Sequence, residues 1–493
     1  MTPPSNPLYN TDTIIALATP SGIGAIGVIR LSGPDAISLA NEVFNGKDLS
    51  IQKTHTIHFG TIKDGDLILD EVLVSIFIGP KSYTKENVVE ISTHGSAYII
   101  ESIIKLFVRN GARPANPGEF TLRAFLNGQL DLSQAEAVAD LIASNSKASH
   151  QVAMQQMRGG FSHELQHLRD QLIHFASMIE LELDFGEEDV EFANREDLKG
   201  LIYQIMRILH RLIQSFEQGN VMKNGVPVVI AGKPNVGKST LLNALLNEER
   251  AIVSEIAGTT RDTVEDEIII GGINFRFIDT AGIRETVDII EAKGVERTHE
   301  KIAQAKLIIY LVDPEQEVSD IEEQLKYLGG LAVPFITVVN KSDIATTEFR
   351  DQLPVTSYQL PGESDNARIQ NNDPLSAQPG NGQRATGNPP HILYISARNK
   401  VGIDALKNTI LQTIGLHSIN TDDVLISNIR HLEALQKTES SLNSVLENID
   451  NPVTSDFLAS DIKQALYYLG EITGQVTTDD LLETIFSKFC IGK

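Results

Sequence analysis

The chain has 493 residues, of which 41% are hydrophobic and 22% charged, with a formal net charge of −24 and a single cysteine. That length is too great for one core and suggests about three domains; the lone cysteine excludes internal disulfides, and a reducing, cytoplasmic setting is expected. The charge excludes a nucleic-acid binder held by bulk electrostatics, and with no apolar run of about 18 residues and no secretory pattern in "MTPPSNPLYNTDTIIALATP", no membrane partner is expected.

Residues 1–126 read as a mixed α/β domain. "TIIALATP", "AIGVIRLSG", "LILDEVLVSIFIGP" and "NVVEISTHGS" are short β-branched runs closed by Gly, Pro or Ser, and "SAYIIESIIKLFVRNGA" reads as a helix with a glycine stop. His94, beside a turn, is expected to be a satisfied structural histidine. Residues 127–220 read as helical: Leu165, Leu168, Leu172, Phe175 and Ile179 step by three and four along one helix face. Strands alternate with helices again over 221–416, starting at "VPVVIAG". Inside that region, residues 351–390 are rich in Pro, Gly, Asn and Gln, and read as a mobile surface insertion. Residues 417–493 return to helix, with Leu458, Ile462, Ala465 or Leu466, and Leu469 forming a stripe. The expected fold class is α/β plus all-α: an α/β domain inserted between two helical segments that pack as one central bundle.

"VPVVIAGKPNVGKSTLLNALL" is a strand, a glycine-rich loop and a helix in order. Residues 232–239 fit G-x-x-x-x-G-K-[ST] in the context that loop requires. Glycines there let backbone N–H groups wrap phosphates; Lys238 would reach the β- and γ-phosphates and Ser239 would ligate Mg²⁺. "FRFIDTAG" ends a strand with Asp279, on the Mg²⁺ side, and Gly282, whose N–H can sense a γ-phosphate. "FITVVNKSD" supplies Asn340, Lys341 and Asp343, and the Asp343 carboxylate can accept both N1–H and N2–H of guanine, a pair adenine lacks. "ILYISAR" ends with Ser396 and Ala397, where a backbone N–H can meet guanine O6. Between the first two motifs, "VSEIAGTTRDTVEDE" offers Thr260 as a second Mg²⁺ ligand. The expected GTP contacts are thus Asn235, Val236, Gly237, Lys238, Ser239 and Thr240 in the loop; Ser254, Glu255, Ile256, Ala257, Gly258, Thr259 and Thr260; Asp279, Thr280, Ala281 and Gly282; Asn340, Lys341, Ser342 and Asp343; and Ser396, Ala397 and Arg398.

Catalysis departs from the Ras pattern. The position after the D-x-x-G glycine, where Ras-like enzymes carry a water-orienting Gln, is Ile283. A carboxylate can do that work, and Glu285, Asp288, Glu291 and Glu296 follow; spacing alone does not choose among them. Asn235 can hold a monovalent cation beside the phosphates with its side-chain carbonyl, or serve simply as a turn residue.

The run "AGTTRD" resembles the G domains of the TrmE–Era–Der group, and the chain as a whole resembles the TrmE (MnmE) family of tRNA modification GTPases. "DTIIALATPSGIGAIGVIRLSG", "PGEFTLRAFLNGQLDLSQAEAVADLI" and the final "FCIGK" carry that likeness more specifically than the GTPase motifs do. The resemblance implies a homodimer joined through a tetrahydrofolate-binding-like N-terminal domain and an inserted Ras-like P-loop GTPase domain activated by K⁺-dependent dimerisation. It implies a heterotetramer with MnmG, which brings FAD and uses NADH, and the addition of an aminomethyl or carboxymethylaminomethyl group to C5 of a tRNA wobble uridine. The one-carbon source would be 5-formyl- or 5,10-methylene-tetrahydrofolate. By the same likeness Glu291 is the catalytic carboxylate; K⁺ falls on Asn235, Ser254, Ile256 and Thr259, and Mg²⁺ on Ser239 and Thr260. Folate contacts fall on Arg30, Glu90, Gln129 and Lys493. Gln129 stands where the family usually has lysine, which keeps a hydrogen bond and loses a charge. Read without the likeness, Arg30 and Glu90 are an ordinary ion pair, and the whole chain could be a regulatory GTP switch of the ribosome-assembly type.

Cys490 sits in "CIGK", a poor prenylation box, since glycine is not aliphatic and nothing polybasic precedes it. "TTDDLLETIFSKF" is expected to be a helix that carries this tail inward from the bundle; the resemblance implies that it goes toward the folate pocket, making Cys490 a candidate participant in the modification.

Overall fold

The computed structural model describes residues 12–160, 162–184, 194–248, 266–278, 305–331, 333–353, 391–415, 424–449 and 455–492. The chain divides into two compact units, one of Met1–Ala143, Val152–Glu217 and Val424–Lys493, the other of Ser144–Gln151 and Gln218–Asp423. Ser144–Gln151, from the first helical stretch, therefore groups with the α/β unit.

The first unit opens with a seven-stranded sheet: β1 (Ile14–Leu17), β2 (Ile26–Ser32), β3 (Phe44–Asn45), β4 (Thr56–Asp64), β5 (Leu67–Phe77), β6 (Val88–His94) and β7 (Arg113–Pro114), ordered β3-β4-β5-β6-β2-β1-β7. Helices α1 (Ala36–Val43) and α2 (Ala97–Arg109) cover one face. Alternation along β2 buries Ile29 and Leu31 among them and leaves Arg30 on the other face; Val89 and Ile91 flank Glu90 in the same way on β6. Antiparallel register sets Arg30 directly opposite Glu90, the arrangement in which cross-strand side chains meet. His94 closes β6 with Nδ1 2.7 Å from Asp70 Oδ1 and its backbone N–H donating to Asp70 Oδ2. Its ring and its backbone N–H are thus both partnered, as expected of a satisfied histidine.

Helices α3 (Glu119–Leu126), α4 (Leu132–Ala143) and α5 (Lys147–Met157) follow, then the long α6 (Ser162–Asp184) and α7 (Arg195–Asn224). After the inserted unit the chain returns as α12 (Ile429–Asn448), α13 (Ser455–Thr473) and α14 (Asp479–Phe486). Leu165, Leu168, Leu172 and Ile179 of α6 share one buried core with Leu198–Leu212 positions of α7, Leu435 and Leu442 of α12, and Leu458, Ile462, Ala465 and Leu469 of α13. Of the two alternatives in the last stripe, Ala465 is buried and Leu466 packs at the rim. The two helical segments thus bury each other's apolar stripes, the arrangement periodicity requires.

The second unit is a six-stranded sheet of β8 (Val226–Ala231), β9 (Asp266–Ile270), β10 (Ile273–Phe277), β11 (Leu307–Val312), β12 (Phe335–Val339) and β13 (His391–Tyr394). Its order is β13-β12-β11-β8-β10-β9, parallel except for β9 against β10. The helices that belong to it are α8 (Lys238–Glu248), α9 (Val318–Gly329), α10 (Thr347–Gln352) and α11 (Ile403–Ile414). All six residues of β11 are buried, as a central parallel strand should be. The sheet grows outward in both directions from β8, whose neighbours are β10 and β11. The crevice at its carboxyl end is the switch point where open α/β sheets bind ligands. Most of the expected insertion, residues 354–390, lies outside the described residues. No helix among the described residues is long and apolar enough to cross a membrane.

Candidate functional site

The loop from β8 to α8 occupies that switch point. Gly232 (φ +150°), Asn235 (φ +65°) and Gly237 (φ +98°) all take backbone conformations that L side chains seldom adopt. A Cβ on Gly232 would lie 2.4 Å from Leu311 O, and one on Gly237 would lie 2.2 Å from Asn340 Nδ2, so only glycine fits either place. Asn, tolerated in the left-handed region, holds the third position, and its exposed side chain is compatible with both roles expected of it. Val236 is buried and anchors the loop. Lys238, the first residue of α8, donates from Nζ to Gly232 O at 2.7 Å and Lys233 O at 3.1 Å, and burial pushes its ammonium pKa down. Ser239 and Thr240 continue in the first turn of α8. Turned backbone, a helix N-terminus and a half-buried lysine make a fitting cradle for phosphate oxyanions.

The segments expected to read guanine meet this loop through the Asn340 side chain. Asn340, buried at the end of β12, donates from Nδ2 to Val236 O at 2.8 Å and accepts the Ala397 N–H at 3.0 Å. Lys341 has φ +54° and its ammonium meets the Asp313 carboxylate. Ser342 donates its N–H to Ile395 O at 2.9 Å. The segments after β12 and β13 are therefore laced to each other as well as to the phosphate loop. Asp343 and Arg398 are exposed, while Ser396 and Ala397 are buried. The chemistry available at this edge is an acceptor at Asp343, which suits a base carrying adjacent N–H groups; the backbone donors expected at 396 and 397 are instead taken up by Val401 O and Asn340 Oδ1.

Ser254, Glu255, Ile256, Ala257, Gly258, Thr259 and Thr260 lie outside the described residues. So do Asp279, Thr280, Ala281, Gly282 and the four carboxylates Glu285, Asp288, Glu291 and Glu296, and so does Lys493. Among the described residues no group of three or more His, Cys, Asp or Glu is placed to hold a metal.

A second cluster lies in the first unit. Arg30 donates from Nε to Glu90 Oε1 at 2.8 Å, and its guanidinium stands 5.6 Å from the Tyr83 ring and 5.7 Å from the Phe120 ring. Arg30 Nη1 also reaches Gly492 O at 3.4 Å. The tail is seated by backbone: Gly118 donates its N–H to Cys490 O, and Ile491 bridges Pro117. Phe489 and Phe486 sink into a core with Leu132, Ala135, Leu482 and Ile485. Gly492 (φ +96°) passes so close to β1 that a Cβ would lie 2.1 Å from Leu17 O. Cys490 itself is exposed. Gln129 is exposed at the end of α3, with its N–H donating to Ala124 O, while Lys85 Nζ donates to the neighbouring Gly128 O. Arg30 and Glu90 are thus brought together as expected, and the tail reaches them.

Beneath lies a network that sequence reasoning did not pick out. Arg123 donates to Asp12 Oδ1 at 2.7 Å and to Glu119 at 3.1 Å, and Arg113 pairs with Asp12 and Glu119. Glu86 accepts from Ser32 Oγ at 2.6 Å, and the Tyr83 hydroxyl is 2.9 Å from Thr121 Oγ1. Burial pushes the Glu119 carboxyl up, but its hydrogen bonds from Arg113 and Asn116 and the two arginine charges outweigh that and hold it below its ordinary value. Burial raises the Tyr83 phenol. The one sequence signal was the four-residue spacing of Glu119 and Arg123 in "PGEFTLRAF".

Comparison with known proteins places the chain as a whole in one family. A family model described as the MnmE helical domain matches residues 132–490, and one described as the GTP-binding protein TrmE N-terminus matches residues 13–129. The chain is 56% identical to the tRNA modification GTPase MnmE of Cytophaga hutchinsonii over 98% of both chains. It is 53% identical to that of Flavobacterium johnsoniae over 99% of this chain and 100% of the relative. Against that of Bacteroides thetaiotaomicron the identity is 47%, over 98% and 100%. The solved structure of an Aquifex aeolicus Era variant bound to GDP·AlF4− is similar over 44% of this chain and 66% of that chain, at 24% identity and a TM-score of 0.24, too low to add to the assignment. The full-length identities and both family matches establish that the chain is a GTPase belonging to the MnmE/TrmE family.

Proposed function

We propose that the chain couples GTP hydrolysis to modification of C5 of the wobble uridine of tRNAs, as a homodimer working in the cytoplasm with the FAD-containing MnmG, which uses NADH. The observation that carries this reading is the seat of the Cys490 tail beside the Arg30–Glu90 pair, a site in a different unit from the phosphate loop. A plain GTP switch has no need of such a second site. We divide the chain for this purpose into residues 1–126, 127–220, 221–416 and 417–493.

Lys238 and the turned backbone at 232–237 grip the phosphates, and Asp343 selects guanine. Ser239 and Thr260 would hold Mg²⁺, and Asn235, Ser254, Ile256 and Thr259 would hold K⁺; both ions, when bound, offset charge on the phosphates. Glu291 orients the attacking water in place of the missing glutamine. In the first unit, Arg30, Glu90, Gln129 and Lys493 would hold the tetrahydrofolate derivative, which supplies one carbon when bound. The aromatic walls at Tyr83 and Phe120 suit a flat heterocycle.

Nucleoside analysis of tRNA from a strain lacking the gene tests the reading directly. Loss of the C5-substituted wobble uridines is expected; their persistence would leave the regulatory switch as the function. In vitro, exchanging K⁺ for Na⁺ is expected to collapse GTP turnover with little change in nucleotide affinity, and equal turnover in both salts would remove the cation role. Glu291→Ala is expected to act like Na⁺ even in saturating K⁺. Retained turnover would move the role to Glu285, Asp288 or Glu296.

A further inference from the structure

Between the bundle and the tail lies a buried ionic cluster that neither site uses. Arg430, in the first turn of α12 behind the Asn428 cap, forks onto Glu136 of α4, Nε to Oε1 at 3.0 Å and Nη2 to Oε2 at 2.7 Å. His431 Nε2, on a fully buried ring, is 2.8 Å from the same carboxylate. The remaining edge of the guanidinium reaches Glu471 O at 2.5 Å and Ile472 O at 3.2 Å. These are carbonyls of the last turn of α13, which intrahelical bonds leave unsatisfied and a cation there satisfies. One side chain therefore joins the first helix after the inserted unit, helix α4 and the end of α13.

Both of the elements it joins support the tail. Helix α13 ends at Gly474 (φ +81°), which lies against α3 and α4 so closely that a Cβ would be 2.6 Å from the Phe125 ring and 2.8 Å from Leu132 Cβ. The chain then enters α14, whose Leu482, Ile485 and Phe486 pack on Leu132 and Ala135 of α4, one turn from Glu136. Cys490 follows four residues after α14 ends. A bidentate guanidinium fixes angle as well as distance, which a lysine cannot do.

We propose that Arg430, acting through Glu136 and the end of α13, is the positioning residue for the Cys490 tail. It sets the platform on which α14 rests and so the place at which the thiol is presented. The proposal rests on the reading that Cys490 takes part in the modification. Because the chain has only one cysteine and that thiol is exposed, a nitroxide spin label attached to it in the full-length protein reports the tail alone, independent of any activity. Arg430→Lys is expected to shorten the label's rotational correlation time by about twofold or more, as the seat of the tail loosens, while GTP turnover in K⁺ stays within about twofold of the parent. Glu136→Gln, which keeps a hydrogen-bond acceptor, is expected to give a smaller change of the same sign and carries the test if Arg430→Lys fails to fold. Leu442→Ala, a bundle-core change outside the tail's own core, is the control: its label mobility is expected to match the parent's although its Tm falls. Parental label mobility in the Arg430 variant, or an equal increase in Leu442→Ala, would overturn the proposal. A more mobile label, with wobble modification undiminished in the unlabelled variant, would leave the positioning role standing and remove the catalytic reading of Cys490.

Discussion

The residues around the phosphate loop come from three short segments, each continuous in sequence and each following a parallel strand. Those around the tail are joined across as many as 462 positions, as between Arg30 and Gly492. The first site makes its shape from backbone turns that particular residues permit, and the second from side chains that happen to converge after folding. A site of the first kind announces itself as a motif. A site of the second kind has no spacing to read, and only the finished topology puts its members together.

The comparison can be broken by showing that the two sites depend on each other's residues. Lys238→Ala removes the half-buried ammonium of the phosphate loop and is expected to lower GTP turnover by roughly 10² to 10³-fold, with the mobility of a spin label on Cys490 unchanged. A more mobile label in that variant would show that the tail is not independent of the loop. In the other direction, Gly492→Ala forces a side chain into contact with Leu17 O from a positive φ and is expected to unseat the tail. Wobble modification should then fall by about tenfold or more with GTP turnover retained, as measured by nucleoside analysis beside a phosphate-release assay.

Acid sharpens the contrast within the first unit. Burial alone would raise the Glu136 carboxyl, but the hydrogen bonds and charges of His431 and Arg430 overcome it and hold the group at about 2, against an ordinary 4.5. A carboxyl depressed in the folded state contributes stability that is complete above its unfolded pKa. That contribution disappears as pH falls from about 4.5 toward 2, and is on the order of 2–3 kcal/mol. Denaturant melts of parent and Glu136→Gln should therefore differ at pH 7 and converge as pH approaches 2. A gap that widened in acid would contradict the assignment. The smallest effect belongs to the second unit. Thr337 is fully buried on β12 and its hydroxyl finds no hydrogen-bond partner among the described residues, so Thr337→Val is expected to be neutral or stabilising by up to about 1 kcal/mol in that unit's thermal transition.

Much of the fold was legible because its signals are local. The 3.6-residue stripes of α6 and α13 predicted buried faces, and the described residues bury Leu165, Leu172, Ile462 and Leu469 as those stripes require. The glycines at 232 and 237 predicted a loop only glycine can form, and the contacts a Cβ would make there agree. The grouping of Ser144–Gln151 with the α/β unit was not legible. It depends on the Ala148 N–H meeting Gly272 O and Asn145 meeting Glu267, contacts across more than a hundred positions. The Asp12–Arg113–Glu119–Arg123 network was hidden for the same reason: each charge alone looks like surface, and only convergence makes Arg123 and Glu119 interior.

Gly492's hold on Arg30 also bears on how the molecule is made. Strands β2 and β6 can pair, and Arg30 can find Glu90, once about a fifth of the polypeptide has left the ribosome. The contact to Gly492 must wait for some four hundred further residues, and a contact of such long range is among the slowest to form. A chain cut between residue 416 and Gly492 would still contain every strand of the early sheet, its ion pair and the phosphate loop. It would lack the Gly492 carbonyl that meets the arginine. Arrival of the tail is therefore a late checkpoint on whether a newly made molecule carries its second site.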